Sequence, residues 1–247
     1  MKTLYFDCFS GISGDMTIGA LVDAGVDPEI IEKELKKLDI ESEYQLEWKK
    51  VVKNGISAKK FYVHTNADGT SGDHHHHHRH HTDIVKMIKA AGFNEKVTEM
   101  SLRIFEEIGR AEAKIHDIPF EKVHFHEVGA IDSIIDIIGS AVAINQLEVD
   151  RIVSSPIPAG TGKIHIDHGI YPVPAPATLE ILKGKPLQQS KVEGELTTPT
   201  GAGIVSALAQ SFGTIPSMKI EAIGYGAGTK EFRDHPNVLR VVLGKTY

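Results

Sequence analysis

The stretch "AIDSIIDIIGSAVAINQL", residues 130–147, decides the reading of the fold. Its few polar residues and its length fit a helix buried at the centre of a domain. Two aspartates interrupt the apolar run. Asp132 and Asp136 stand at i, i+4 spacing, one above the other on a single helix face. Asp132 lies near the helix start, where a carboxylate also complements the helix dipole. Asp136 has Ile134, Ile135, Ile137 and Ile138 as neighbours, a setting in which an unpartnered carboxylate is costly. It calls for a cation, a hydrogen-bond donor or a proton.

Working outward, "KVHFHEV" precedes this helix and reads as a short extended piece. Alternation along an extended chain puts His124 and His126 on one face, and two imidazoles together suit zinc, nickel or copper. The alternative for either histidine is a half-buried, hydrogen-bonded side chain. Gly129 lets the extended piece and the helix meet closely. His124 and His126 are therefore candidate metal ligands. Glu127, Asp132 and Asp136 are candidates for proton handling at the same helix start.

The flanking segments read as strands and helices in irregular order. "KTLYF" is a buried strand, and "MTIGALVDAG" is a helix closed by Gly25. Asp27-Pro28 caps a second helix, and Asn54-Gly55 marks a hairpin. Two further helices precede residue 117, the second with helical apolar spacing at Val97, Met100, Ile104, Phe105, Ile108 and Ala111. After Asp150 come strands, a Pro-rich turn, two helices and two closing strands. The order is not strict strand–helix alternation, so the expected class is α+β, or an irregular α/β fold with a mixed sheet and several helices. The composition shift near Asp150 marks candidate subdomains 1–150 and 151–247, although no linker separates them.

The chain has 247 residues, enough for a sizeable core, and a formal net charge of −6. That balance gives no footprint for general nucleic-acid binding. A lone cysteine, Cys8, precludes an internal disulfide. No apolar run approaches the roughly 20 residues of a membrane span, and the first residues lack a signal-peptide core. The expectation is a cytoplasmic protein without a membrane or nucleic-acid partner.

Three further features carry candidate chemistry. His74, His75, His76, His77, His78, His80 and His81 form a dense run of imidazoles broken by Arg79, a multivalent ligand for nickel, copper or zinc. Its position inside the chain argues against an expression tag. It suits capture or storage; the plain alternative is a tolerated loop expansion. "DCFSGISGDM" sets Gly11, Ser13 and Gly14 before a helix, where exposed N–H groups hold a phosphate or carboxylate. It lacks the Lys-Ser/Thr ending of a Walker loop. Asp7, at the strand end, is a candidate metal ligand there, and Asp15 adds a second carboxylate that would repel a phosphate unless a metal ion or base sits between. "TTPTGAG" repeats the helix-start pattern with Thr198 as N-cap, Thr200 and Gly201. Lys163, His165, Lys230, Arg233 and His235 beside glycines suit a phosphorylated ligand.

Taken together and in order, "YFDCFSGISGDM", the histidine-rich run, "VHFHEVGAIDSIIDI", "YPVPAPATLEIL", "ELTTPTGAGI" and "GYGAGTKEFRDHPNVLRV" resemble the LarC family from Leu4 to about Val242. The resemblance implies nickel insertion into pyridinium-3,5-bisthiocarboxylic acid mononucleotide. The implied product is the nickel-pincer nucleotide of lactate racemase, with nickel held by two sulfurs and a ring carbon. It implies a cyclometallation that consumes CTP with Mg2+ or Mn2+. Full-length family members continue into a C-terminal domain associated with CTP, so residues 1–247 look like the N-terminal portion. The implied partners are the mononucleotide, that C-terminal domain and apo lactate racemase. Two other functions fit the residues alone: a non-catalytic nickel chaperone or store, and a metal-dependent phosphohydrolase built on Asp7, Asp132 and Asp136.

Overall fold

A computed structural model describes residues 1–65, 79–123, 125, 130–166 and 169–247. Strand β1 (Lys2–Asp7) buries Leu4, Tyr5 and Phe6 in succession, so both of its faces are covered. A tight loop leads to α1 (Gly14–Asp23), which stops before Gly25 at φ +111°. Helix α2 (Pro28–Leu35) starts on Asp27, whose side chain accepts from the Glu29 N–H at 2.9 Å, with Pro28 in the first turn. Strands β2 (Tyr44–Lys53) and β3 (Ile56–Thr65) form a hairpin. Asn54 and Gly55 take φ of +46° and +84° at its turn, the left-handed pair that matches strand twist.

Helices α3 (His81–Ala90), α4 (Glu95–His116) and α5 (Ile131–Gln146) follow. Asn94 caps α4 by accepting from the Val97 N–H at 2.8 Å. Beyond β4 (Arg151–Ser154) the chain makes short ribbons: β5 (Ile157–Pro158), β6 (Gly160–Thr161), β7 (Lys163–Ile166) and β8 (Gly169–Pro172). Then come α6 (Pro176–Ile181), β9 (Leu187–Gln188), β10 (Gly194–Glu195) and α7 (Pro199–Leu208). The chain closes with β11 (Ser211–Phe212), β12 (Met218–Ala227) and β13 (Val238–Thr246).

Seven strands form the main sheet in the order β11-β4-β1-β13-β12-β3-β2. Its pairings are mixed: β4 runs parallel to β1, while β13 is antiparallel to both β1 and β12. Strands from before and after Asp150 alternate within it. Helix α1 lies on β3 and β12, and α5 packs over α1 against α2, α4 and α7. Outside this main core are two small clusters, Tyr5 with Val153 and Val242, and Ala58 with Ala227 and Val238. Helices gathered on one face of a mixed sheet make this an α+β fold, as its sequence pattern predicts.

Helix α5 is the axis of the core. Ile134, Ile135, Ile137 and Ile138 are all fully buried. Each such side chain contributes about 2 kcal/mol of transfer free energy. Truncating one to alanine costs about 3 kcal/mol, because the dense surroundings collapse only in part. Asp136, on the same helix, borders a cavity instead of the apolar core.

Candidate functional site

Three helix starts meet above β3. The loop before α1 and the loop before α7 are tied together: the Thr198 N–H donates to the Ile12 carbonyl at 3.1 Å, and Ile12 bridges Thr197. Gly201 is required at this junction, because a Cβ there would run into the Ile12 carbonyl. Thr198 caps α7 by accepting from the Gly201 N–H at 3.2 Å, and its hydroxyl lies 2.8 Å from that of Thr200. The first turn of α5 brings up Asp132 and Ser133 from the third side. A cavity of about 380 Å³ opens between these helix starts and β3. Ser13, Asp15, Lys60, Asp132, Asp136 and Thr200 are among its lining residues.

Lys60 is the cation of this cavity. It sits in the middle of β3 and is only 2% exposed. Its ammonium pairs with Asp15, donates to the Thr229 hydroxyl at 2.8 Å, and stands 5.1 Å from the centre of the Tyr62 ring. Asp15 is further held by the Ser13 hydroxyl and by the Met16 N–H at 2.8 Å. The helix N-termini and Lys60 are donors to an anionic group, while Asp15, Asp132, Asp136 and Glu195 border the same space as acceptors.

Asp136 faces this set from one turn inside α5. The residue borders the cavity, yet its Oδ1 is sealed from solvent with no hydrogen-bond partner. Burial, with repulsion from Asp15 and Asp132 added, pushes its carboxyl well above the usual carboxylate range. Lys60 and the Asp15 backbone N–H oppose that shift without cancelling it. Gly14 is what allows the close approach: a Cβ there would stand 2.7 Å from Asp136 Oδ2.

The residues expected to bind phosphate divide into two groups. Ser13, Thr198 and Thr200 border the cavity. Gly11, Gly14 and Gly201 do not; they serve close packing against Leu196, Asp136 and Ile12. Asp132 borders the cavity with Asp136, and its Oδ1 accepts from the Ser133 N–H at 2.8 Å. Asp7 lies elsewhere, at the end of β1, where its Oδ2 accepts from Arg240 Nε at 2.8 Å. His80 precedes α3 as its N-cap residue. The His81 ring packs against Phe120 at 4.4 Å and Phe125 at 5.9 Å, and burial lowers its pKa. His74, His75, His76, His77, His78, His124, His126 and Glu127 lie outside the described residues. Among the described residues, no three His, Cys, Asp or Glu side chains are grouped so as to hold a metal ion.

Sequence reading missed Lys60, Glu195 and Thr229 as site residues and noted Asp15 only as a carboxylate near a glycine turn. One signal for Lys60 was available. Lys59 and Lys60 are adjacent in a strand, so they point to opposite faces, and one of the two must lie beneath whatever covers the sheet.

Residues 4–247 match the family model described as nickel insertion protein. The chain belongs to the nickel insertion protein family. One relative is the pyridinium-3,5-bisthiocarboxylic acid mononucleotide nickel insertion protein of Geobacillus kaustophilus, 59% identical over 99% of this chain and 60% of its own length. The protein of the same name in Staphylococcus epidermidis is 54% identical over 98% of this chain and 59% of its own length. A putative nickel insertion protein of Geotalea daltonii is 47% identical over all of this chain and 62% of its own length. The chain thus spans about 60% of the length of these curated relatives. No solved structure matches it. Among the described residues, no helix of this family member is long and apolar enough to cross a membrane.

Proposed function

We propose that the cavity between α1, α5, α7 and β3 receives pyridinium-3,5-bisthiocarboxylic acid mononucleotide, and that the chain takes part in inserting nickel into it. The observation that carries this reading is buried Lys60 meeting three helix starts at a cavity of about 380 Å³, within a chain of the nickel insertion family. That volume is in the range of small-molecule sites. The substrate is anionic at its phosphate and at both thiocarboxylates. Lys60, the N–H groups of the helix starts and the Ser13, Thr198 and Thr200 hydroxyls are the donors that suit such groups.

Nickel enters as a substrate. His124 and His126 are its proposed holding ligands before transfer, with the histidine-rich run as an upstream reservoir. Both histidines precede Asp132 by only a few residues in the chain, and Asp132 borders the cavity. A holding site of two imidazoles leaves coordination positions for the sulfurs of the incoming ring. CTP with Mg2+ or Mn2+ as co-substrate is carried over from the family resemblance, and the cytoplasm as location rests on the sequence pattern alone.

The test is an insertion assay. The chain is mixed with the mononucleotide, a nickel salt and Mg-CTP, with and without a polypeptide matching the remaining length of the relatives. The nickel-containing product is read by mass spectrometry. Product in either mixture is the expected result. Nickel bound by the chain with no product in both mixtures overturns the reading in favour of a nickel store.

A further inference from the structure

The carboxylates that border the cavity are not equivalent. Asp15 has its oxygens taken by Ser13, the Met16 N–H and Lys60. Asp132 is exposed and accepts from the Ser133 N–H. Glu195 has Lys230 within 3.8 Å. Asp136 alone, among the described carboxylates of the cavity, keeps an acceptor oxygen that is both sealed from solvent and without a donor. No arrangement of that kind serves stability, since a buried acceptor without a partner costs free energy. Strain of this sort, kept at a cavity wall, is the mark of a group held ready for chemistry.

The reaction has a matching need. Nickel becomes bonded to a ring carbon that carries a hydrogen before insertion. The C–H bond breaks, its electron pair becomes the nickel–carbon bond, and the proton must leave. Nickel keeps its oxidation state, so no oxidant or reductant is consumed. We propose that Asp136 is the group that takes up this proton, from a ring carbon positioned over the first turns of α1 and α5. The inference rests on reading the cavity as the insertion site.

The surroundings explain how a carboxyl that burial and its neighbours bias toward the neutral form becomes a base when the metal arrives. The charged groups facing Asp136 are Asp15 from α1, Asp132 from its own helix and Lys60 from β3. Glu195, ahead of α7, borders the same space. Burial, then the two aspartates, keep the proton on Asp136. A divalent cation entering this space offsets that repulsion and expels the proton. Loading of the metal thereby favours the acceptor form of Asp136.

The experiment compares Asp136→Asn, Asp136→Glu and Asp132→Asn with the wild-type chain in the insertion assay, across pH 5–9. Each variant is first checked for folding by thermal melting and for mononucleotide binding by calorimetry. Asp136→Asn is expected to bind the mononucleotide as the wild type does but to form product at least ~100-fold more slowly, the usual range for a lost general base. It should also lose the acidic limb of the rate–pH profile, which Asp136→Glu should retain at a shifted position. Asp132→Asn should change the rate by less than ~10-fold. A substrate deuterated at the ring carbon should slow the wild type, as proton removal demands. Asp136→Asn within ~3-fold of wild type, with its acidic limb intact, overturns the proposal. No product from the wild type in any mixture defeats the reading of the cavity itself, and the inference falls with it.

Discussion

Two regions of the molecule each bury a titratable group without giving its sealed atom a hydrogen bond, and they differ in what surrounds it. At the cavity, Asp136 Oδ1 is the orphan, and charged Asp15, Asp132 and Lys60 stand around it. In the loop after β12, His235 Nε2 is the orphan, and the neighbours are the rings of Phe9 at 6.1 Å and Phe232 at 6.3 Å. Burial drives both groups toward their neutral forms, raising the carboxyl and lowering the imidazole. At His235 burial is the only cause. At Asp136 neighbouring charges add to it, and a change in those charges can reverse it. Burial alone makes a quiet packed group, whereas burial within a set of charges makes a group that a ligand can switch.

The hardest way to break this contrast is to remove the cation of the cavity. Lys60→Met keeps the length of the stem but strands Asp15 beside Asp132 and Asp136. Breaking a largely buried pair in this way is expected to cost about 3 kcal/mol in urea unfolding. Adding Asp15→Asn should recover part of that loss, because no uncompensated charge then remains. A loss below about 0.5 kcal/mol would mean that the pair is worth no more than a surface ion pair. The same Lys60 variant should weaken mononucleotide binding in calorimetry if the cavity receives an anion.

The next largest effect probes the wedge between α1 and α5. Gly14→Ala places a methyl group against the Asp136 carboxyl. Overpacking of this kind is expected to cost about 2 kcal/mol. In an Asp136→Gly background, which also removes the Asp136 Cβ that would stand at 2.4 Å, most of that cost should vanish, which a double-mutant cycle reads directly. Additive costs would show that the two residues do not share the contact.

Much of the cavity was legible in the sequence, but only in pieces. The shared face of Asp132 and Asp136 follows from helical spacing, and the starts of α1 and α7 follow from Ser13 and Thr198 before helical runs. Their meeting at one place does not follow, because it depends on the strand order that sets β12 and β3 under α1, and strand order is non-local. Lys60 was legible only as one of a pair, for a related reason: alternation puts Lys59 and Lys60 on opposite faces, but which face a helix covers is non-local. The glycines of "GYGAG" show the opposite error. They belong to a segment that reads as a closing strand, yet as glycines beside basic side chains they also suggest a flexible ligand turn. In the fold, Gly224 and Gly226 lie within β12, where any Cβ would strike the α1 backbone at Ala20 or Met16. A missing side chain looks the same in sequence whether it frees a turn or admits a neighbour.

The smallest expected effects are the most direct measure of the contrast between Asp136 and His235, because the two residues tilt stability with pH in opposite directions. Asp136 has a folded pKa above its unfolded value. Below about pH 4 both states hold the proton and the residue contributes no slope. As pH rises, the unfolded chain ionises freely while the folded one does not, so stability falls until the folded pKa is passed. Asp136→Asn should remove this loss and raise stability at neutral pH by about 1 kcal/mol. His235 has a folded pKa below its unfolded value. Its contribution is complete above about pH 6.5 and is lost as pH falls, when the unfolded imidazole takes up a proton that the folded one refuses. His235→Phe should therefore leave stability unchanged at pH 8 and lessen the loss near pH 5, by at most about 1 kcal/mol. Urea unfolding at three or four pH values separates the two slopes. Adding saturating nickel should flatten the Asp136 slope and leave the His235 slope in place, since only the first group sits among charges that a cation offsets. Equal responses of the two slopes to nickel would erase the distinction between a switchable group and a packed one.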